Sequence, residues 1–315
     1  MDLTQHAYDM CTLCPRTCKA ARSQGVRGVC GCTSTLRIAR SALHFWEEPP
    51  ISGDNGSGAI FFSGCPLRCV YCQNHEISHD GFGIEVSTHR LATMMLELQE
   101  KGAHNINLVT PLHYAPHVCE AISMARGSGL VLPIVCNTSG YERHELIDML
   151  SDVVDIWLTD FKYASPDLAQ RYSGARDYPH VASKALASML ASLKEHGGRR
   201  LDAHDHMQRG VIVRHLVLPG HVDDSYAVLD SLWNSAGNEI DVSIMNQYTP
   251  NERCRNAGGP LSRTLESDEY DLVLLHADEL GFDHIWWQEG QTASQSFIPP
   301  FDATGVEGPE RDFRP

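Results

Sequence analysis

The sequence predicts an α/β fold in which a parallel sheet, wrapped by helices, forms an incomplete barrel. Short apolar runs alternate with segments of helical period, which is the pattern of a parallel sheet covered by helices. Six alternations occur, fewer than a closed eight-fold barrel requires. The chain has 315 residues, of which 42% are hydrophobic, enough for one barrel and a small appendage. Eight of the eleven cysteines lie between Cys11 and Cys72, which marks a short Cys-rich N-terminal extension.

The predicted elements follow one another as strand, helix, strand. The first helix of the barrel carries Leu91, Met94, Met95 and Leu98 at positions i, i+3, i+4 and i+7, so these apolar side chains share one face and belong to the core. The predicted strands are Ala59–Ser63, Asn105–Val109, Val131–Cys136, Val153–Leu158, Val211–Leu218 and Ile240–Met245. The remaining predicted helices are Ala115–Arg126, Glu142–Leu150, Ala182–His196, Asp223–Asn234 and Leu265–Leu280.

Composition divides the chain into three parts. Residues 1–57 form a Cys-rich metal-binding extension and a linker, because the opening segment has no sustained apolar period and the stretch EEPPISGDNGSG supplies turn residues but no core. Residues 58–303 form the barrel. Residues 304–315 are polar and contain proline, so we expect them to be a disordered tail.

Charge and hydropathy limit the partners and the compartment. A net charge of −15 repels phosphate polyanions, so we expect neither nucleic acid nor an anionic membrane as a partner. No apolar run approaches the roughly 20 residues that cross a bilayer, and the start MDLTQHAYDM lacks the pattern of a signal peptide. We therefore expect a cytoplasmic protein. In that reducing compartment, closely spaced thiols bind metal more often than they form disulfides.

The strongest functional signal follows the first barrel strand. The segment FFSGCPLRCVYCQN carries Cys65, Cys69 and Cys72 on a loop that begins with Gly64. Soft thiolates suit iron, and a four-iron cubane needs four ligands, so three cysteines leave one iron open for a cofactor or substrate. The alternative interpretation of the same triad is a zinc or oxygen-sensing site.

This segment resembles the signature of radical S-adenosylmethionine (SAM) enzymes, in which the residue before the last cysteine is commonly aromatic, as Tyr71 is here. The resemblance implies a 4Fe–4S cluster on the three cysteines, with SAM chelated to the open iron through its amino and carboxylate groups. An electron from the reduced cluster then cleaves SAM to methionine and a 5′-deoxyadenosyl radical. Such a protein positions and shields a cofactor that carries the difficult chemistry.

Further segments are similar to the branch related to pyruvate formate-lyase activating enzyme. They occur in the expected order and extend from the N-terminal cysteines to FIPPFDATGV, so the resemblance covers nearly the whole chain and implies an incomplete (β/α)6 TIM-like barrel. The segments are NINLVTPLHY, IVCNTSGY, VVDIWLTDFKY, RGVIVRHLVLPG and SIMNQYTP.

Polar residues that follow the apolar strands are candidates for SAM binding, because barrel sites form at the carboxyl ends of strands. Asn137, Thr138 and Ser139 can bond the methionine carboxylate or ribose, or can form an ordinary turn or helix cap. The resemblance places Lys162 beside SAM, with Asp160 nearby on the same side. The alternative for these two residues is a simple ion pair.

Two later strands contribute further candidates. Arg214 and His215 are adjacent in an apolar strand, so only one of them can face the barrel interior. The resemblance assigns the interior to Arg214, with His215 packed beneath the helices. Tyr248, with Asn246 and Gln247, follows the next strand and can close over adenine or belong to a structural hydrogen-bond network.

One segment departs from the activating-enzyme pattern. Many of these enzymes hold the SAM amino group with a Gly-Gly-Glu segment after the second strand, whereas this chain has Thr110 followed by Pro-Leu-His. Backbone carbonyls near Thr110 can serve instead. The departure weakens any assignment of pyruvate formate-lyase itself as the substrate.

A second metal site is expected in the N-terminal extension. Cys11, Cys14, Cys18 and Cys30 supply four thiolates, which suit either tetrahedral zinc or a second iron–sulfur cluster, and Cys32 is left over. Resemblance to activating enzymes with extra cysteine clusters favours iron. The other cysteines, Cys119, Cys136 and Cys254, are interpreted as small buried residues.

The leading functional hypothesis is an activating-enzyme-like oxidoreductase whose radical abstracts a hydrogen atom from a protein or peptide. Its partners are then that substrate and an electron donor such as flavodoxin or ferredoxin. The first alternative is a radical SAM enzyme that acts on a small metabolite. The second is a non-catalytic iron–sulfur binding or sensing protein, which needs the three thiols but no SAM pocket.

Overall fold

The chain forms one mixed sheet flanked by helices. The structure is a computed structural model and describes residues 5–288 and 299–313. Its strands are β1 Arg37–His44, β2 Ser57–Phe62, β3 Ile84–Glu85, β4 Ile106–Val109, β5 Ile134–Thr138, β6 Ile156–Asp160, β7 Arg200–Leu201, β8 Met207–Leu216, β9 Asp241–Met245 and β10 Ile285–Trp287. Its α-helices are α1 Pro49–Ser52, α2 His75–Ser78, α3 Thr88–Glu100, α4 Ala115–Gly127, α5 His144–Met149, α6 Pro166–Ser173, α7 Tyr178–Glu195, α8 Val222–Ala236, α9 Glu252–Ala257 and α10 Ser267–Leu280.

The strand order is β10-β9-β8-β6-β5-β4-β2-β1-β3, with β7 paired to β8. The strands from β2 to β10 in this row are parallel, whereas β1 and β3 add an antiparallel edge. Strand β2 is buried at every position, as expected for a strand covered on both sides. The predicted α/β fold with an incomplete barrel is therefore confirmed.

Each of the six predicted barrel strands has a counterpart in the parallel row, and each predicted helix has a counterpart between them. The prediction did not include the strands β1, β3, β7 and β10 or the helices α1, α2, α6 and α9. None of the helices formed by the described residues has the length and apolar character that a membrane crossing requires.

The predicted linker has a different role in the structure. Residues 47–58 include α1, and Ile51 is fully buried against Val135, Ile156 and Ile212 from three barrel strands. Alternate residues of a strand face opposite sides of a sheet, so these side chains mark the interior face of the barrel. The stretch that was predicted to supply turn residues but no core therefore packs inside the barrel. Its proline, glycine and serine content gave no sign of this packing.

The expected N-terminal boundary also differs, because part of the extension belongs to the sheet. Strand β1 pairs with β2 from Ile38 to His44, and β3 pairs with β1. These strands cover the edge of β2, which would otherwise leave unpaired backbone groups at the end of the sheet.

Residues 304–313, expected to be a disordered tail, instead pack against α3. The buried Arg90 donates to the carbonyl oxygens of Val306, Gly305 and Pro309 at 2.8, 3.0 and 3.1 Å, while also pairing with Glu97 at 2.7 Å. Val306 is fully buried. The tail has little apolar content, and a single buried arginine bonds three of its carbonyl oxygens.

Replacing Arg90 with Met is expected to lower the free energy of unfolding by about 2 kcal/mol, because several charge-assisted hydrogen bonds are lost from a buried position. Urea unfolding measures this effect. The matched control is Arg311→Met in the same tail, whose pair with Glu100 is exposed and should contribute little. Equal stability of the two variants would contradict the anchoring role of Arg90.

Candidate functional site

A buried polar network lies at the carboxyl ends of the central barrel strands. Asn137, Asp160 and Arg214 occupy the interior face of β5, β6 and β8, and Asp160 pairs in register with Arg214. Arg214 donates to Asp160 Oδ1 at 3.0 Å, to Asn137 Oδ1 at 2.6 Å and to Glu47 Oε2 at 3.2 Å. The guanidinium therefore joins two strands to the segment that fills the barrel.

The neighbouring His215 faces the other side of β8. Its Nδ1 lies 2.8 Å from the Phe161 carbonyl and its Nε2 lies 2.9 Å from the Ser225 hydroxyl of α8. Burial lowers the pKa of His215 to about 4, so the ring is neutral at physiological pH. The structure thus places Arg214 inside the barrel and His215 beneath a helix.

Lys162 connects this network to the cysteine loop. Its Nζ donates to Asp160 Oδ2 at 2.5 Å, and the nearby Cys69 further favours its charged form. Burial raises the pKa of Asp160, but the charges of Lys162 and Arg214 outweigh that effect and leave the pKa below its usual value. The three groups are therefore ionised together. The ion pair between Lys162 and Asp160, which was the alternative to a contact with SAM, is present, and the contact with SAM stays a prediction.

In the loop after β2, Cys69 lies close enough to the other two thiols to shift their pKa values. Burial, followed by the neighbouring Cys69, raises the pKa of Cys65 to about 12 and also raises the pKa of Cys72. Ser173 donates to Cys69 Sγ at 3.1 Å, and Ser78 donates to Cys72 Sγ at 3.3 Å. At Cys72 the Ser78 hydroxyl and the Lys162 charge partly oppose the rise in pKa and so favour the thiolate, which is the metal-binding form.

The donors on this loop suit an iron–sulfur cluster, because soft thiolates match iron. Within the described ranges, no three His, Cys, Asp or Glu side chains converge as they would around one metal ion. A cubane carries its thiolates on separate corners and so accepts wider spacing. Gly64 has a φ of +84°, and a Cβ there would overlap Cys32 Sγ and the Cys30 carbonyl. The loop can follow this path only with glycine before Cys65.

Two of the polar side chains at the end of β5, those of Thr138 and Ser139, form hydrogen bonds to neighbouring protein groups. The Thr138 hydroxyl donates to Thr159 Oγ1 at 3.1 Å, and Ser139 donates to Glu142 Oε1 at 3.4 Å. Burial raises the pKa of Glu142 to about 8, so this carboxyl is mostly protonated at neutral pH and can act as a donor. Sequence reasoning missed Glu142, because only its burial distinguishes it from a surface helix residue.

Thr110 is held in an unusual backbone conformation. Its φ is +58°, a region that non-glycine residues rarely occupy, and its N–H donates to the Asn137 carbonyl at 2.8 Å. The turn thus joins the ends of β4 and β5. A role for backbone carbonyls near Thr110 in holding the SAM amino group stays a prediction.

Two predicted aromatic contacts belong to a buried cluster. Tyr71 receives a 2.7 Å hydrogen bond from Tyr163 and lies edge-on to Tyr248, with ring centroids 6.1 Å apart. Tyr248 is 1% exposed, and its hydroxyl donates to the Leu261 carbonyl at 2.6 Å. Tyr248 therefore belongs to a structural hydrogen-bond network, which was the alternative to closing over adenine. Its ring packs against Tyr71 of the cysteine loop.

The N-terminal cysteines gather close to one another. Both Cys18 Sγ and Cys30 Sγ lie beside Gly28, 3.3 and 3.4 Å from where its Cβ would be. Burial raises the pKa of Cys14 to about 12, with smaller contributions from Cys30 and Cys11. Cys32 lies beside them, because its thiol forms a hydrogen bond with the Cys30 thiol and its Sγ lies 3.3 Å from the Ser63 carbonyl. The assignment of Cys11, Cys14, Cys18 and Cys30 as the four ligands stays a prediction, and Cys32 is a neighbour of Cys30.

This extension lies directly against the barrel cysteines. The Cys65 N–H donates to the Cys30 carbonyl at 3.2 Å. Arg22 is 1% exposed, lies over the Tyr8 and Tyr114 rings, and donates to the His113 carbonyl at 2.7 Å. Sequence reasoning placed the extension beyond a flexible linker, and nothing in the local sequence indicated this contact.

A second arginine reinforces the same contact. Arg16 donates to the carbonyl oxygens of Pro66 at 2.9 Å and Ser173 at 2.7 Å. Pro66 lies within the cysteine loop, and Ser173 is the residue that bonds Cys69. Arg16 therefore ties the N-terminal extension to the loop that carries the barrel thiols.

A cavity opens beside the polar network and next to the cysteine loop. Two acidic residues that were assigned to the linker, Glu47 and Glu48, contribute to it. Of the predicted site residues, Asn137 and Arg214 line this cavity. Asp160 is connected to it through its bond with Arg214, and Lys162 through its bond with Asp160. Other polar lining residues are Gln73, Asn74, Ser243, Gln247 and Gln288.

Comparisons with known sequences agree with this arrangement. An uncharacterized protein of Methanocaldococcus jannaschii is 26% identical over 293 residues, which cover 91% of this chain and 79% of the relative. The pyruvate formate-lyase-activating enzyme of Listeria monocytogenes is 26% identical over 117 residues, covering 34% of this chain and 47% of that enzyme. The chain thus spans about half of the activating enzyme that it resembles.

The chain also resembles a solved structure and matches a family model. A radical SAM methyltransferase from Sphaerobacter thermophilus superposes with a TM-score of 0.51 at 14% identity, covering 74% of this chain and 67% of that protein. At this identity the likeness concerns the fold alone. The model of the Radical SAM superfamily matches residues 59–232, more than half of the chain, beginning in β2 and including all three barrel cysteines. The chain therefore belongs to the radical SAM superfamily.

Proposed function

We propose that this protein uses a 4Fe–4S cluster on Cys65, Cys69 and Cys72 to cleave SAM and to abstract a hydrogen atom from a protein or peptide. The observation that carries the proposal is the position of the cysteine loop beside a polar cavity containing Arg214. Membership of the superfamily implies the cluster and SAM. When bound, they supply the 5′-deoxyadenosyl radical.

The chain's own residues bind and orient the cofactors. Lys162 lies near Cys69 and contacts Asp160, so it carries positive charge between the cluster and the polar network. Arg214 and Asn137 present polar groups to the cavity. We assign the SAM carboxylate to this cationic region, because charge-assisted hydrogen bonds to a carboxylate are the strongest contacts available there.

A protein or peptide substrate is favoured by the activating-enzyme similarity. The similar Listeria proteins are named pyruvate formate-lyase-activating enzymes, and that name describes an action on another enzyme. They match 34% of this chain. A small metabolite is the alternative substrate class.

The proposal is tested with anaerobically reconstituted, reduced protein and SAM. We expect release of 5′-deoxyadenosine and methionine, which a non-catalytic iron–sulfur sensor would not produce. Deuterium transfer then separates the substrate classes, because 5′-deoxyadenosine acquires the label from whichever deuterated pool, protein or metabolite, donates the hydrogen atom. Absence of SAM cleavage in protein with a full cluster would refute the proposal.

We also propose that Cys11, Cys14, Cys18 and Cys30 bind a second iron–sulfur cluster that passes electrons to the first. The Cys30 carbonyl accepts from the Cys65 backbone, so the two cysteine groups are in direct contact. A flavodoxin or ferredoxin is the proposed donor. Structural zinc at the same four thiols remains the competing assignment.

Replacing Lys162 or Arg214 with Met is expected to weaken SAM binding about 10- to 100-fold, since each removes a charged contact worth about 1–3 kcal/mol. Equilibrium dialysis of cluster-loaded protein with labelled SAM measures the affinity. Iron content should not change. Arg126→Met, on the exposed face of α4, is the matched control.

Loss of the fold must be separated from loss of binding in these variants, because Arg214 also balances Asp160 and Glu47. The charge-conserving variants Arg214→Lys and Lys162→Arg should retain more affinity than the Met variants at similar thermal stability. Wild-type affinity in both Met variants would show that the assigned carboxylate site is wrong.

A further inference from the structure

Two adjacent acids from the segment before α1 reach into the barrel, but only one of them has a full set of partners. Glu47 pairs with Arg214 at 3.2 Å and accepts from Asn107 Nδ2 at 3.1 Å. Glu48 is 8% exposed, and burial raises its pKa, while the charge of Arg214 and a hydrogen bond from Ser243 oppose that effect. Its second oxygen, Oε2, is buried without a hydrogen-bond partner among residues 5–288 and 299–313. A buried carboxylate oxygen without a donor is costly, so it points to a missing ligand.

The charges around the cavity do not balance within the described part of the chain. The carboxylates are Glu47, Glu48 and Asp160, whereas the cations are Arg214 and Lys162. Burial lowers the pKa of His44, which also lines the cavity, so this ring stays neutral. Three carboxyl groups share two cations, and burial raises the pKa of both Glu47 and Glu48, so the described residues do not fully offset the ionised forms of all three. A ligand with one positive charge restores the balance.

Aromatic residues surround the entrance to the same cavity. Trp46 and Trp287 are 65% and 55% exposed, and both line the cavity together with Trp286. Trp286 Nε1 is a second buried polar atom for which the described residues provide no partner. Tryptophan faces attract cations, most strongly where water is excluded. Tryptophans around a buried carboxylate suit a long side chain that ends in a positive charge.

The cavity that Glu48 lines also extends to the cysteine loop. Its lining extends from Phe61 on β2 and Gln73 beside Cys72 to Ser243 on β9 and Trp286 on β10. Strands β2 and β10 are at opposite ends of the parallel row. A ligand at Glu48 would therefore share this cavity with SAM bound at Arg214, whose charge also acts on Glu48.

We propose that this cavity binds an arginine or lysine side chain of the protein or peptide substrate, with Glu48 accepting its charged head and the tryptophans covering its aliphatic part. The inference rests on the proposed function, which it deepens by naming the substrate residue. Both candidate residues share the chemistry of a cationic head on a flexible apolar stem.

The test uses cluster-loaded, SAM-bound protein and small probes, titrated by tryptophan fluorescence. N-acetyl-arginine amide and N-acetyl-lysine amide are compared with their uncharged counterparts, N-acetyl-citrulline amide and N-acetyl-norleucine amide. We expect at least one cationic probe to bind about tenfold tighter than its neutral counterpart, a difference of about 1.4 kcal/mol. Glu48→Gln should abolish that preference and leave the neutral probes unaffected.

The matched control is Glu100→Gln on the outer surface of α3, which should bind all probes as wild type does. Glu48→Gln should fold, because it removes an uncompensated buried charge at constant size, and thermal melting verifies this. Equal binding of cationic and neutral probes, or an unchanged preference in folded Glu48→Gln protein, would overturn the inference. So would a large loss of SAM affinity in Glu48→Gln, because Glu48 would then hold the amino group of SAM. If wild type fails to cleave SAM, the proposed function fails, and the probe titration still decides whether the cation site exists.

Discussion

Protein carrying Cys69→Ala is expected to lose its 4Fe–4S cluster and, with it, all SAM cleavage above background. Cys69 is the central and most buried of the three loop thiols, and its sulfur accepts the hydrogen bond from Ser173. Two thiolates cannot hold a cubane that already leaves one iron without a protein ligand. Iron content, visible absorbance and 5′-deoxyadenosine release measure the loss.

The experiment needs a background that excludes iron bound elsewhere. Cys69→Ala is therefore combined with Cys11→Ala and Cys14→Ala, and compared with the double variant alone. Cys119→Ala is the matched control, because this half-buried thiol on α4 lies outside both cysteine groups. Unchanged iron and absorbance in the triple variant would refute the assignment of the cluster to this loop. Cys65→Ala and Cys72→Ala are expected to behave like Cys69→Ala.

The barrel strands were predictable because their signal is local. Ile106–Val109 and Ile134–Thr138 are buried along their whole length, and burial on both faces makes such strands mostly apolar in the sequence. The alternation with helical periods then determines the parallel order. The helix Pro166–Ser173 was missed because it has only two turns, although Ser165 caps it by accepting from the Leu168 N–H.

The acidic residues of the site could not be recognised in the same way. Glu47 and Glu48 stand next to two prolines and precede a glycine-rich stretch, a composition that ordinarily marks an exposed turn. Ile51 is buried only because the barrel interior is available to receive it. Burial of this kind depends on contacts far apart in sequence, so it appears only when the barrel is assembled.

The same limit applies to the position of the N-terminal extension. Cysteine spacing predicts a metal site in this extension, but Arg16 and Arg22 looked like ordinary charged residues of a polar segment. Arg22 is instead among the largest fully buried side chains, and Arg16 bonds the cysteine loop. Each arginine satisfies carbonyl oxygens that belong to the barrel, and such partners cannot be identified from local sequence.

Removing Cys11 and Cys14 together is expected to abolish turnover with a flavodoxin or ferredoxin, while SAM cleavage by a strong artificial reductant continues. The proposed relay loses two of its four thiolates, but the barrel loop keeps its own three. Cys30 remains, together with the bond from the Cys65 N–H to its carbonyl, so the loop should retain its support. The measurement is the rate of 5′-deoxyadenosine release with each reductant in the full-length protein.

A structural zinc site predicts a different outcome for the same variant. Limited proteolysis should then increase within residues 1–46, and both reductants should lose activity to the same extent, because zinc stabilises the fold without carrying electrons. Cys254→Ala, a buried cysteine outside both groups, controls for the loss of a thiol as such. Metal analysis of wild type and variant identifies the metal that is lost. Ordinary disulfides and no metal at these cysteines, in protein purified without oxygen, would refute both assignments, because neither a relay nor a zinc site can form without free thiolates.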